Sequence, residues 1–198
     1  SPNPSGPDTV FSSLLVFAYQ MMMILVLGHV LVLTKPISKL ILKVTSFCNN
    51  TANSAMIVAS STMLVAFFNW GLGLIFGALL ARKVAEHAQQ KNIQLNYPII
   101  GAAGYSGLMV WHGGISGSAP IKINEAGHLK SMLSNDVSNT YQAQLPEFIS
   151  YKETIFSDWN LLIFAAVLIS ISLLFYFVGK RLSPTEIHLT TYQFHKES

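Results

Sequence analysis

Charge is what this sequence has least of. Asp, Glu, Lys and Arg together make up 11% of it, against about 25% in an ordinary soluble domain. So few charged groups cannot cover a water-soluble globule of 198 residues. Hydrophobic residues are 51% and come in long blocks, and the mean hydropathy is +0.45. The composition is that of an integral membrane protein. Cysteine is nearly absent as well. Cys48 stands alone, which excludes an intrachain disulfide, and a structurally neutral thiol is expected. The formal net charge is +3, yet no cluster of Arg with aromatics lies on a polar face, so nucleic acid is excluded as a partner. Metal-ligand spacing, a phosphate loop and a nucleophile–base pairing are all missing. His128, His188 and His195 sit in loops without ligand spacing. No metal and no cofactor are expected. Residues 1–9 carry no basic n-region and are not a signal peptide. They read as an extracytoplasmic loop or a truncated start.

What is present is a series of apolar blocks. Val10–Leu33 is nearly uncharged and long enough to cross about 30 Å of hydrocarbon. Lys35, Lys39 and Lys43 follow, spaced with Ile37, Leu40, Ile41 and Val44, as in a short interfacial amphipathic helix. A second block, Ala55 to Ala81, holds Asn69-Trp70-Gly71-Leu72-Gly73 at its middle. One reading is a single span; the other is a re-entrant hairpin over about 54–82 with its tip at Asn69–Gly71. Basic residues lie before the block (Lys35, Lys39, Lys43) and after it (Arg82, Lys83, Lys91). The hairpin keeps both groups on one side, as the positive-inside rule prefers, and Asn and Gly suit a tight turn. A span over 97–120 comes next. Gly101, Gly104 and Gly107 in it form a smooth stripe for close helix approach. The last span covers 159–178, with Trp159 and Tyr176 as interfacial anchors and Lys180 and Arg181 as its cytoplasmic stop. The membrane domain is therefore 10–182, and 183–198 is a polar cytoplasmic tail. The fold class is all-α, integral membrane and multi-pass.

Two irregular stretches lie at membrane depth: Asn69–Gly73 and Gly113–Ser118. Irregular backbone survives there only where protein or a wet cavity satisfies its N–H and C=O groups. Half-helix N-termini favour a carboxylate, and carbonyls at half-helix C-termini favour Na⁺. The candidate substrate and ion-binding residues are Asn69, Trp70, Gly71, Gly73, His112, Gly113, Gly114, Ser116, Gly117 and Ser118, with Asn69 and Ser116 as candidate Na⁺ ligands. Glycine-rich packing defects or misplaced loops are the alternative, and the pairing of two such stretches in a chain with few other polar membrane groups favours function. His112 fits a proton carrier or a carboxylate contact, balanced against simple packing. Gln20 and His29 are secondary candidates; for both, a packed or interfacial polar group is the simpler reading. A hydrophobic second half-helix after Pro120 is not evident, because Lys122, Asn124 and Glu125 follow at once.

These residues resemble the bacterial short-chain fatty acid transporters of the wider ion-transporter superfamily. The resemblance runs from about Phe11 to Pro120. It rests on Gln20 with Gly28-His29, on Asn69-Trp-Gly-Leu-Gly73 followed by Gly77-Ala-Leu-Leu-Ala-Arg82, and on Gly113-Gly-Ile-Ser-Gly-Ser-Ala-Pro120. It implies a carrier of short-chain carboxylates in the bacterial inner membrane, coupled to Na⁺ or H⁺. It also implies inverted repeats, each with a re-entrant hairpin and a broken helix, in an elevator-type transport domain. His112 departs from the pattern, where another small residue is expected. Members of the family are longer, and this chain resembles their N-terminal half without its first helix. That implies a fragment or a truncated product, completed by a second repeat and assembled as a homodimer. Two other functions remain open at the level of sequence. One is a small membrane scaffold or subunit that works only with a partner chain. The other is a membrane-embedded enzyme using His112, Ser116 and Ser118, against which stands the lack of an acidic partner for His112.

Overall fold

The computed structural model describes residues 34–131 and 146–184, with further helical positions among residues 15–30. Gln20 and His29 lie outside the described residues. Among the described residues every regular element is a helix: α1 (Lys35–Thr45), α2 (Thr51–Phe68), α3 (Trp70–Gln90), α4 (Tyr97–Ala103), 3-10 turns at Ser106–Met109 and Trp111–Gly113, α5 (Ser118–Asn124), α6 (His128–Ser131) and α7 (Asp158–Arg181).

The second apolar block is broken by one residue. Asn69 is extended, with φ −151° and ψ 121°. Its N–H still donates to Val65 O at 3.1 Å, closing α2. Its Oδ1 accepts from Leu72 N at 2.9 Å, opening α3. An Asn side chain that satisfies a free helix N–H is a strong N-cap. One residue thus ends one helix and starts the next. The two helices then run back antiparallel. A methyl on Gly73 would meet Ala66 Cα at 2.6 Å, and one on Gly77 would meet Thr62 Cγ2 at 2.8 Å. The hairpin is longer than the 54–82 read from hydropathy, because helix continues through the charged turn of Arg82, Lys83 and Glu86 to Gln90. Glu86 accepts from Arg82 Nε at 3.0 Å and Lys83 Nζ at 2.6 Å, pairs that hold an exposed helix together. Asn92, at φ 53°, takes the left-handed position that stops α3, and Ile93 N–H closes the end on Ala88 O at 2.8 Å, as in a Schellman motif.

The next segment climbs along α2 from base to tip. Asn96 N–H donates to Thr51 Oγ1 at 3.0 Å, Ser106 Oγ to Ala59 O at 3.1 Å, and Ile115 N–H to Phe67 O at 2.8 Å. Thr51 to Phe67 covers about 24 Å at helical rise. This span was expected as a helix over 97–120 broken near 113–118. Regular α-helix ends far earlier, at Ala103, and 3-10 turns carry the rest. The cause is backbone contact. A Cβ on Gly104 would lie 2.8 Å from Gly77 O, and one on Gly107 would lie 2.9 Å from Ala66 Cβ. Ser106 Oγ also turns back to Ala103 O at 2.7 Å, a bond that competes with regular helix. Of the expected glycine stripe, Gly104 and Gly107 make the approach, whereas Gly101 has nothing within 4 Å.

Antiparallel to α2 on its other side runs α7. Phe164 packs on Phe67 with ring centroids 4.6 Å apart, and a methyl on Gly179 would lie 2.9 Å from Ala52 Cα. Ser157 caps its start by accepting from Asn160 N at 3.3 Å. Helices α2 and α7 are both long and apolar enough to cross a membrane. The core, including Val58, Met63, Leu80, Val84, Leu95 and Ile100, lies among α2, α3 and the climbing segment. By contrast, α7 keeps Leu162, Ile163, Ile169, Leu174 and Phe177 exposed, a continuous apolar face of the kind that marks a membrane or partner contact.

Two predictions follow from this packing. Gly77→Ala should destabilise by about 1–3 kcal/mol through overpacking, while Gly101→Ala should be neutral or stabilising. Thermal unfolding in detergent micelles would read both, and equal shifts would contradict the close approach at Gly77. Second, burial pushes the Cys48 thiol up to about 11, against a weaker downward pull from Ser54. The thiolate is the reactive form, so the native chain should be nearly inert to maleimide at neutral pH and react only as the pH rises toward that value. Ser46→Cys and Gln90→Cys, both exposed, should then label from the same side of the membrane. Labelling from opposite sides would break the hairpin topology.

Candidate functional site

The two irregular stretches meet at one end of the bundle, and each completes the other's backbone. A helix leaves its first N–H and last C=O groups without internal partners. Near the end of α2, Phe67 O accepts from Ile115 N. At the start of α3, Trp70 N–H donates to Ser116 Oγ at 2.9 Å. The Trp70 and Trp111 rings lie 5.8 Å apart above this junction. Glycine makes the approach feasible: a side chain on Gly114 would collide with Phe67 O, and one on Gly117 with His112 O.

This placement changes the expected roles of two candidates. Asn69 and Ser116 were proposed as ligands whose oxygens face a substrate or Na⁺. Both oxygens instead accept N–H groups of the first turn of α3. Each oxygen keeps a second lone pair, and the Ser116 hydroxyl hydrogen and the Asn69 Nδ2 hydrogens add donors. Gly71 and Gly73 are buried in that first turn. Gly73 N–H is already bonded to Asn69 O at 2.9 Å.

The tip and the break touch directly. The open space lies on the far side of the break, against α7. Two clefts of about 250 and 190 Å³ share His112, Gly113 and Asn160 in their linings. His112 is exposed, its ring 4.1 Å from that of Trp111. Ser118 is exposed at the start of α5. That short helix turns away from the apolar bundle: Ile149 N–H donates to Ile123 O at 3.1 Å and Asn124 Nδ2 to Ile149 O at 3.2 Å. The abrupt polarity after Pro120 fits this placement, since α5 pairs with the polar segment around Ile149, which with α5 and α6 forms a polar cap. Among the described residues no group of three His, Cys, Asp or Glu is placed to hold a metal.

Sequence reasoning missed Asn160. Its Nδ2 donates to Gly113 O at 2.8 Å and to Ile155 O at 2.7 Å. A Cβ on Gly113 would lie 2.5 Å from Asn160 Oδ1, so only glycine leaves room for this clamp. The available signal was an amide in the first turn of an otherwise apolar span. Thr62 and Ser106 were missed too. Both are buried hydroxyl residues in the glycine-lined seam, and Thr62 Oγ1 has no hydrogen-bond partner.

The sequence that builds this junction has counterparts among known proteins. A family profile described as "Short chain fatty acid transporter" matches residues 8–189. The chain belongs to the short-chain fatty acid transporter family. Two curated relatives, provisionally named short-chain fatty acid transporters, are similar to it. One, from Escherichia coli (strain K12), is 31% identical over 80% of this chain and 32% of its own length. The other, from Haemophilus influenzae, is 29% identical over 89% of this chain and 37% of its own length. The chain thus spans about a third of the curated relatives it matches. No solved structure matches. Membership in a transporter family sets aside the enzyme reading of His112, Ser116 and Ser118.

Asn160→Ala should strand the carbonyls of Gly113 and Ile155 and lower stability by about 1–3 kcal/mol. Ser170→Ala, exposed on the same helix, should stay within about 0.5 kcal/mol. Unfolding in micelles compares them, and matching shifts would mean that the clamp carries no stability.

Proposed function

We propose that this chain is the N-terminal part of a secondary transporter that moves short-chain fatty acids and other small carboxylates across the bacterial inner membrane. The observation that carries the reading is the junction of hairpin tip and broken segment, in a chain matched to the family over residues 8–189. The site is built around that junction. The Ser116 hydroxyl and the Asn69 amide supply donors at the N-terminal end of α3, where the helix dipole also favours negative charge. The N–H groups of the first turn of α3 converge on these oxygens, so the positive end of the helix makes this spot suit the substrate carboxylate better than Na⁺. His112, beside the clefts, supplies a proton route when coupling is to H⁺; with Na⁺ coupling, the ion is bound elsewhere.

In this topology the chain starts outside and its N-terminal stretch runs inward. The hairpin is re-entrant, entering and leaving from the cytoplasm. Residues 97–120 run outward and α7 returns. Lys35, Lys39, Lys43, Arg82, Lys83, Lys91, Lys180 and Arg181 then all lie toward the cytoplasm, as the positive-inside rule requires. A second, inverted repeat in the remainder of the protein supplies the other wall of the site, and two such proteins form an elevator-type homodimer.

Cells expressing the complete gene should take up labelled butyrate saturably, and imposing a Na⁺ or a proton gradient should identify the coupling ion. Ser116→Ala and Ser118→Ala should reduce uptake more than Ser170→Ala. Absence of saturable uptake for every short carboxylate, with either gradient, would reject the transporter reading. Equal effects of the three serine changes would move the site away from the break.

A further inference from the structure

Helix α1 carries three cations for which the described residues supply no counter-ion. Lys35, Lys39 and Lys43 recur every four residues, which at 100° per residue gathers them within about 80° of the helix surface. All three are exposed. The opposite face holds Ile41, which is buried, with Ile37 and Val44 packed against the core. The lysines therefore point directly away from the protein. No acidic residue occurs between residues 9 and 85. Glu86, the first beyond, is taken by Arg82 and Lys83. Among the described residues the lysines of α1 make no ion pair.

The flanks of this helix are apolar and uncovered. Leu40 is 47% exposed, Leu42 60% and Phe47, just beyond the helix, 61%. A row of ammonium groups between bare leucine and phenylalanine side chains suits one environment, the boundary between lipid headgroups and acyl chains. There the apolar flanks enter the chains and the lysines remain among the phosphates. A neutral headgroup layer would leave the three charges uncompensated; an anionic one compensates them.

We infer that α1 is a binding surface for anionic phospholipid headgroups, occupied in the membrane by lipid phosphates that serve as the counter-ions of Lys35, Lys39 and Lys43. The inference rests on the membrane placement proposed above but not on transport or on its substrate. Each lysine beside an anionic leaflet strengthens association about fivefold, so three together give on the order of a hundredfold. The consequence is selectivity among lipids, which goes beyond setting the direction of insertion.

The test is native mass spectrometry of the purified chain in micelles holding equal amounts of phosphatidylglycerol and phosphatidylcholine with the same acyl chains. The chain should retain phosphatidylglycerol over phosphatidylcholine by about tenfold or more. The triple change Lys35→Gln, Lys39→Gln, Lys43→Gln should reduce that preference to about twofold. A second triple, Lys122→Gln, Lys130→Gln, Lys152→Gln, removes the same charge from the polar cap and should keep the preference. All six are surface positions, and circular dichroism would verify unchanged helicity. The inference is overturned if the parent shows no preference, if the α1 triple keeps it, or if both triples lose it equally. Abolition of the preference by millimolar inorganic phosphate at constant ionic strength would also overturn it, because the site would then recognise free phosphate and not a lipid surface. None of these readings depends on butyrate uptake, so the transporter proposal stands or falls separately.

Discussion

A peptide group withdrawn from water must find a partner, and the upper end of this bundle is arranged around that requirement. Breaking a helix inside an apolar environment frees N–H and C=O groups whose burial without partners costs several kilocalories per mole. The hairpin tip frees one set and the glycine-rich segment frees another. They are placed against each other so that Phe67 O and Trp70 N–H are each answered from the break, while Asn69 answers Leu72 N–H from within. Neither stretch satisfies its backbone alone. Their adjacency is therefore what lets both breaks stand within an apolar bundle.

Close backbone approach is the second constraint, and it follows from the first. For the break to reach Phe67, the segment leading to it must lie flush on α2 and α3, which the absence of side chains at Gly73, Gly77, Gly104 and Gly107 allows. Regular helix is lost over 104–117 because packing contact there outweighs helical hydrogen bonding. The same logic extends to α7, which nears α2 at Gly179 and holds the break through Asn160 and Gly113.

Much of this was legible in the residues, and the illegible parts have physical reasons. Asn69 with its glycines signalled a turn, because an asparagine cap acts over three residues and leaves a local trace. The grouping of cations was equally plain, since charge does not depend on partners. The hairpin's far boundary was not plain: Arg82, Lys83 and Glu86 end the apolar run but are good helix formers that pair along one face, so hydropathy stopped where the helix did not. The early end of α4 was hidden too. Apolar residues and glycines at this spacing suit a smooth helix as well as an unwound one, and contact with Gly77 and Thr62 decides between them. The clamp of Asn160 on Gly113 spans 47 residues, and nothing near either residue announces the other. The engagement of Ser116 by Trp70 N–H, 46 residues apart, was likewise unreadable.

Asn160 also has a meaning in time. The hairpin closes through neighbours in the chain, so it can form as soon as α3 leaves the ribosome. The clamp cannot, because α7 follows the break in the chain and contacts of long sequence separation form late. Until α7 arrives, the carbonyl of Gly113 lacks its donor and one side of α2 lacks its cover. Local closure of the hairpin and long-range securing of the break are thus separate events, and docking of α7 supplies the second.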